Sequence, residues 1–158
     1  MNPKGAHHRI AEANALANEG RYEDAIRVYE NAIAASPELS GYRLVVGELL
    51  FELQHYELAA EVFEEVALAE PERAEAFEAL GRARLLLGDS FGAIAAFERA
   101  LRGAPGWAQP AWQLALLYDE SGQHDLARER LEVAIASEPK LADAARDEGL
   151  FARLGTPP

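Results

Sequence analysis

Residues 88–105 read Gly-Asp-Ser-Phe-Gly-Ala-Ile-Ala-Ala-Phe-Glu-Arg-Ala-Leu-Arg-Gly-Ala-Pro. A glycine opens the stretch, a proline closes it, and Ala93, Phe97 and Ala100 stand between them at helical spacing. Glycine just past a helix end takes the left-handed conformation at little cost. Proline lacks an N–H and turns the residue before it away from helical geometry, so it ends a helix. The stretch predicts a turn followed by one helix.

The same reading holds at a fixed interval in both directions. Pro37, Pro71, Pro105 and Pro139 stand 34 residues apart. Ala25, Ala59, Ala93 and Ala127 keep that interval, as do Tyr29, Phe63, Phe97 and Leu131, and Ala32, Val66, Ala100 and Ala134. A fifth column, Ala13, Gly47, Gly81 and Ala115, is always small. Five columns in step define a repeat, and a period of this length means stacked supersecondary units.

Within a unit, residues 41–53 place Leu44, Val46, Leu49, Leu50 and Leu53 at helical spacing. Residues 57–69 do the same with Leu58, Val62, Phe63, Val66 and Ala67. Each unit thus predicts two helices joined by a turn at Gly20-Arg21, Gln54-His55, Gly88-Asp89 or Gly122-Gln123. Gln54 is the one non-glycine there, and a modest backbone strain is expected. The small columns predict a close crossing within each unit. Ala25, Ala59, Ala93 and Ala127 on the second helix would meet Ala13, Gly47, Gly81 and Ala115 on the first, with the aromatic-or-Leu column filling the gap beside them.

In this register the chain resembles the tetratricopeptide repeat family, whose unit is 34 residues of helix–turn–helix. Gly20-Arg-Tyr22-Glu-Asp-Ala25 and Gln54-His-Tyr56-Glu-Leu-Ala59 match the family's turn and second helix, and Phe77-Glu-Ala-Leu80-Gly81 matches its opening. Elsewhere Arg9, Arg43 and Ala111 replace the large opening residue, with Trp112 one place later, and Glu12 and Arg84 fall where apolar residues are usual. The resemblance implies an all-α, right-handed solenoid of four units, 6–39, 40–73, 74–107 and 108–141. An N-terminal extension, 1–5, would precede them, and a capping helix and tail, 142–158, would follow. Ala145, Gly149 and Ala152 continue the small spacing there. Leu150, Phe151 and Leu154 would either pack on the fourth unit or dock another copy of the chain.

Composition narrows the function. A 158-residue chain that is 49% hydrophobic can build a core. Its formal charge of −12 offers no attraction to a phosphate backbone or an anionic lipid surface, so neither nucleic acid nor membrane is an expected partner. The absence of cysteine excludes disulfides, thiolate nucleophiles and cysteine-ligated metals. No apolar run approaches the roughly 18–20 residues that span a bilayer. His7, His8, Arg9 and Glu12 stand where a signal peptide would be apolar, so the cytoplasm is the expected compartment.

Catalytic signals are missing. There is no phosphate loop, dinucleotide fingerprint, zinc-protease motif or nucleophile elbow. His7 and His8 are adjacent and would point about 100° apart on a helix, while His55 and His124 fall in turns. Glu30, Glu64, Glu98 and Glu132 recur at 34 and read as a solvated face. No enzyme activity, cofactor or metal is expected.

The resemblance also implies which residues face inward, at the second, fifth, ninth, twelfth and thirteenth positions of each unit. These include Ile10 and Asn14, then Leu44, Glu48, Phe51 and Glu52. The third unit supplies Glu75, Glu78, Arg82 and Leu85, and the fourth Trp112, Leu116 and Asp119. The twenty inward positions hold six acids and one base, a net of −5. An apolar floor edged by carboxylates suits a protein or peptide with apolar anchors and Lys/Arg flanks, and Trp112 is the expected main anchor. The competing reading buries Leu85, Leu86 and Leu116 between helices. A clamp for a chaperone C-terminal carboxylate, known in some of the family, is not matched, because Glu48 and Glu78 would repel it. A self-assembling protein that uses the groove or the C-terminal helix is the alternative function.

Overall fold

The structure, a computed structural model, describes residues 3–155. Helices α1 (Pro3–Asn18) and α2 (Tyr22–Ala35) form the first hairpin, α3 (Arg43–Glu52) and α4 (Tyr56–Ala69) the second. Helices α5 (Ala74–Leu86) and α6 (Ser90–Gly103) form the third, and α7 (Ala108–Glu120) and α8 (His124–Ser137) the fourth. Each hairpin packs on the next in chain order, α2 on α3, α4 on α5 and α6 on α7, which makes an all-α solenoid.

The turns inside the hairpins are one motif used four times. Backbone φ is +76° at Gly20, +62° at Gln54, +77° at Gly88 and +75° at Gly122. In the third turn the Gly88 N–H donates to Leu85 O at 3.0 Å and the Asp89 N–H to Arg84 O at 2.9 Å. The same pair of bonds recurs in the other three. They satisfy carbonyls that a helix end would otherwise orphan. Gln54 holds the left-handed conformation without being glycine, at the expected strained position. The second helices end at Ser36, Glu70, Ala104 and Glu138, whose φ values lie between −127° and −145°, each just before its proline.

Of helices α2 to α10 only α6 has a side-chain N-cap, where Asp89 Oδ1 accepts from the Gly92 N–H at 2.9 Å. The helices are therefore held by packing rather than by their own ends. The columns of small and aromatic residues supply it: Ala25, Ala59, Ala93, Ala127, Tyr29, Phe63, Phe97 and Leu131 are all buried. A Cβ on Gly47 or Gly81 would run first into the ring of Phe63 or Phe97, the column expected to fill the gap at this crossing. Gly47 and Gly81 are thus sockets for the rings sixteen positions later. In the first unit the ring is that of Tyr29, whose hydroxyl donates to Asn14 Oδ1 and which stacks on Tyr42 at 5.9 Å.

Two boundaries depart from the expected scheme. Between the first and second hairpins the chain forms a 3-10 helix, Pro37–Tyr42, with Leu39 buried, which leaves α3 only 10 residues long. Gly41 lies in this segment, and glycine is a poor helix former. Helix α1 already begins at Pro3, inside the stretch expected to be an extension. Met1, Asn2 and residues 156–158 lie outside the described residues.

The cap is two short helices instead of one. Helix α9 (Leu141–Asp147) ends where Gly149 takes φ +68°, and α10 (Leu150–Leu154) starts from it. Ala145, Leu150 and Leu154 are buried in one core with Leu114, Leu117 and Leu131 of the fourth unit, and Phe151 is partly buried against it. Arg128 fastens the end, donating from Nε and Nη2 to Leu154 O at 3.1 and 2.7 Å. Leu150 and Leu154 are thus buried against the fourth unit.

Candidate protein-binding face

First helices of consecutive units lie side by side, so inward positions 34 residues apart become neighbours. Arg82 on α5 donates from Nη2 to Glu48 Oε1 on α3 at 2.7 Å. Its Nε donates to Glu78 on the same helix at 3.1 Å, and its guanidinium lies over the Phe51 ring, 4.8 Å from the centroid. Phe51 in turn meets the Tyr56 ring edge-on at 5.1 Å. Glu48, Phe51, Glu78 and Arg82, four residues read from sequence as one face, form one contact network across two units.

Burial divides their electrostatics. Glu78 is buried, and that burial raises its pKa above the ordinary 4.5 against the pull of Arg82. Burial works against the Arg82 charge too, but Glu78 and Glu48 outweigh it and hold the guanidinium above its usual pKa. Asp119 is also taken: its Oδ2 accepts from Arg153 Nε of the cap at 2.7 Å. Its buried Oδ1 makes no hydrogen bond, with His124 Nδ1 3.3 Å away. Among the described residues Glu52, Glu75 and Glu120 of this face are exposed and carry no ion pair. The free negative charge is smaller than the sequence count implies.

The apolar residues divide as well. Ile10 is buried with Ala6 and Ala13 in the core of the first unit and does not line the face. Leu44, Phe51, Leu85, Trp112 and Leu116 are partly buried, each packed against a core cluster while keeping an accessible side. Leu86 is exposed, so the competing reading fails for it. Asn14 is exposed and accepts the Tyr29 hydroxyl.

Other features escaped the sequence reading. Glu98 is not simply solvated: it accepts from the Tyr118 hydroxyl at 2.9 Å and from Arg130 at 3.0 Å on each oxygen, joining α6, α7 and α8. Burial, then the bond to Glu98, pushes the Tyr118 hydroxyl up to about 12. Glu64 likewise accepts from Arg84 at 2.9 Å. No signal in one sequence pairs an arginine with a carboxylate twenty to thirty-two positions away when both occur in plenty. None of the thirteen site residues lines the three hollows of about 450, 330 and 530 Å³, and the last of these reaches the inward face at Glu120. Among the described residues no group of three or more His, Asp or Glu converges as a metal site requires. No helix there is long and apolar enough to cross a membrane.

Comparison with known proteins agrees with this fold. Two tetratricopeptide repeat models match the chain, one over residues 16–85 and one over 111–140. The chain belongs to the tetratricopeptide repeat family. As such it is a protein-interaction module. The structure is similar to a crystal structure of MamA protein, with a TM-score of 0.84 and 25% identity over 95% of this chain and 82% of that one. It also shares its fold with MamA from Desulfovibrio magneticus RS-1, at TM-score 0.74 and 24% identity over 88% of this chain and 77% of that one.

Among curated relatives, the general transcriptional corepressor trfA of Dictyostelium discoideum is 28% identical over 77% of this tetratricopeptide repeat chain. The CTR9 homolog of Arabidopsis thaliana is 28% identical over 80% of it. The matched segments make up 9% and 12% of those two proteins. Tetratricopeptide repeat protein 33 of Xenopus laevis, also 28% identical, is matched over 51% of its length. The chain therefore spans a small part of the first two relatives and about half of the third.

Proposed function

We propose that this chain works by binding rather than by catalysis, holding a peptide or helix of a partner protein along the inward face of its first helices. The observation that carries the reading is the Arg82–Glu48 contact between α5 and α3. It supports one continuous face on which the single inward arginine is already neutralised and Glu52, Glu75 and Glu120 stay free. Leu44, Phe51, Leu85, Trp112 and Leu116 supply the apolar contacts and most of the affinity, with Trp112 the main anchor. The free carboxylates select Lys/Arg flanks and speed encounter, so binding weakens as salt rises.

Leu44→Ala combined with Trp112→Ala tests this. The double variant keeps its helical content and loses capture of the partners that the parent chain retains. Retention of the same partners at the same level would rule the face out.

A further inference from the structure

The opposite sign of charge gathers at one place on this acidic chain. Every arginine among the described residues holds a carboxylate within 4.0 Å except Arg9, Arg99 and Arg102. Arg99 and Arg102 stand one turn apart on α6, and Arg9 lies far from them on α1. The Arg99 guanidinium lies over the Phe77 ring at 4.9 Å, and its Nη2 reaches only a backbone carbonyl, Pro71 O, at 3.4 Å. Arg102 is exposed and has no partner among the described residues.

Arg99 borders apolar surface, and Arg102 a mixed hollow that Glu72 also lines. A cleft of about 330 Å³ between α4, α5 and α6 is floored by Ala67, Leu80 and Ala96, with Leu68, Phe77 and Arg99 at its sides. A smaller hollow of about 90 Å³ continues it through Pro71, Phe77 and Arg99 to Arg102. Leu68 at the mouth is 76% exposed, so its side chain is open to a docked group. The remaining rim arginine, Arg84, is occupied by Glu64.

We propose that this cleft is a second docking surface, taking an acidic protein segment that sets an aliphatic or aromatic side chain against Leu68 and Phe77 and its carboxylates on Arg99 and Arg102. The charge pattern favours this occupant. With a formal charge of −12, the chain repels an acidic segment almost everywhere else, so two unpaired guanidiniums beside an apolar cleft select both the partner and its place. A guanidinium fork matches a carboxylate well, and Arg99 is already fixed by the ring beneath it. The surface is separate from the inward face, and its partner has the opposite charge.

A random-peptide display library selected on the full chain tests the proposal, with parallel selections on R99E/R102E and on L44A/W112A. The expected pool carries an apolar residue flanked by Asp or Glu. Its enrichment falls about tenfold or more on R99E/R102E and is kept on L44A/W112A. Because Arg99 packs on Phe77, R102E alone serves as a second variant that leaves this contact intact, and it should lose part of the enrichment. A pool without acidic flanks, or one that R99E/R102E and R102E both retain, overturns the proposal. So does sedimentation velocity showing a concentration-dependent dimer that R102E abolishes, since the occupant would then be a second copy of the chain.

Discussion

Gly81 on α5 and Phe97 on α6 fit one another so closely that a Cβ on Gly81 would stand 2.6 Å from Phe97 Cε1. The ring is fully buried and cannot move aside without displacing its neighbours. Gly81→Ala should therefore destabilise the chain by about 1–3 kcal/mol despite the better helix propensity of alanine. Gly41→Ala is the control, because nothing lies within 4 Å of its Cβ position. Urea midpoints of the two variants check this, and equal midpoints would contradict the socket.

Ala93 is buried in the same core. Ala93→Leu should overpack it and cost about 1–3 kcal/mol. An unchanged melting temperature would show that the helix register is misplaced.

Gln54 stands with φ +62° in a turn where the other three units use glycine. A left-handed residue with a Cβ carries about 1–2 kcal/mol of strain, part of which glycine gives back through the unfolded state. Gln54→Gly should raise stability by up to about 1 kcal/mol, and Gly88→Gln should lower it. Thermal melts of both variants test the sign. A destabilising Gln54→Gly would mean that the Gln54 side chain contributes more than its backbone loses.

Glu78 ties the inward face to pH. Its pKa is raised by burial, so the folded chain keeps this proton at a higher pH than the unfolded chain does. Its stabilising contribution is complete below the unfolded value near 4.5 and is lost as pH rises through the folded value. Glu78→Gln removes that dependence. The stability of the variant relative to the parent should rise as pH is taken upward through this window, measured by denaturant unfolding at several pH values. A difference that does not change with pH would show that Arg82 cancels the burial penalty.

Leu150 is fully buried where the cap closes the fourth unit. Truncating a buried leucine to alanine typically costs about 2–5 kcal/mol, but a terminal element of a repeat array can detach without unfolding the rest. Leu150→Ala should therefore speed amide exchange in α9 and α10 while leaving α3 to α6 protected. Uniform loss of protection along the chain would contradict a separable cap.

The 34-residue period made the hairpins, their turns and the buried columns legible, because each depends on residues fixed at one position of every unit. Gln54 shows how far that goes: its strain follows from the column alone. What the period does not carry is how close each contact is. The aromatic column was expected beside Gly47 and Gly81, but only the helix crossing shows that the Phe63 and Phe97 rings stand where a Cβ would be. The cap broke at Gly149 because a glycine at a helix end allows a left-handed turn that spacing alone does not require.

Four of the positions read as one face meet in the structure, and their charges are largely spent on one another. Glu48, Phe51, Glu78 and Arg82 do come together, but Arg82 silences two of the six acids and Arg153 a third. Ile10 went to the core, where it joins a buried cluster shared by α1, α2 and α3. Arg99 and Arg102 gave no signal at all, since an unpaired arginine is recognised only by what does not surround it.

The most direct test of the account places a photo-crosslinking amino acid at Trp112 on the inward face or, as a control, at Phe91, which is 89% exposed at the start of α6. The account predicts that position 112 crosslinks to a partner protein, with a yield that falls as salt is raised, and that position 91 does not. A partner crosslinked from position 91 and never from position 112 would contradict it.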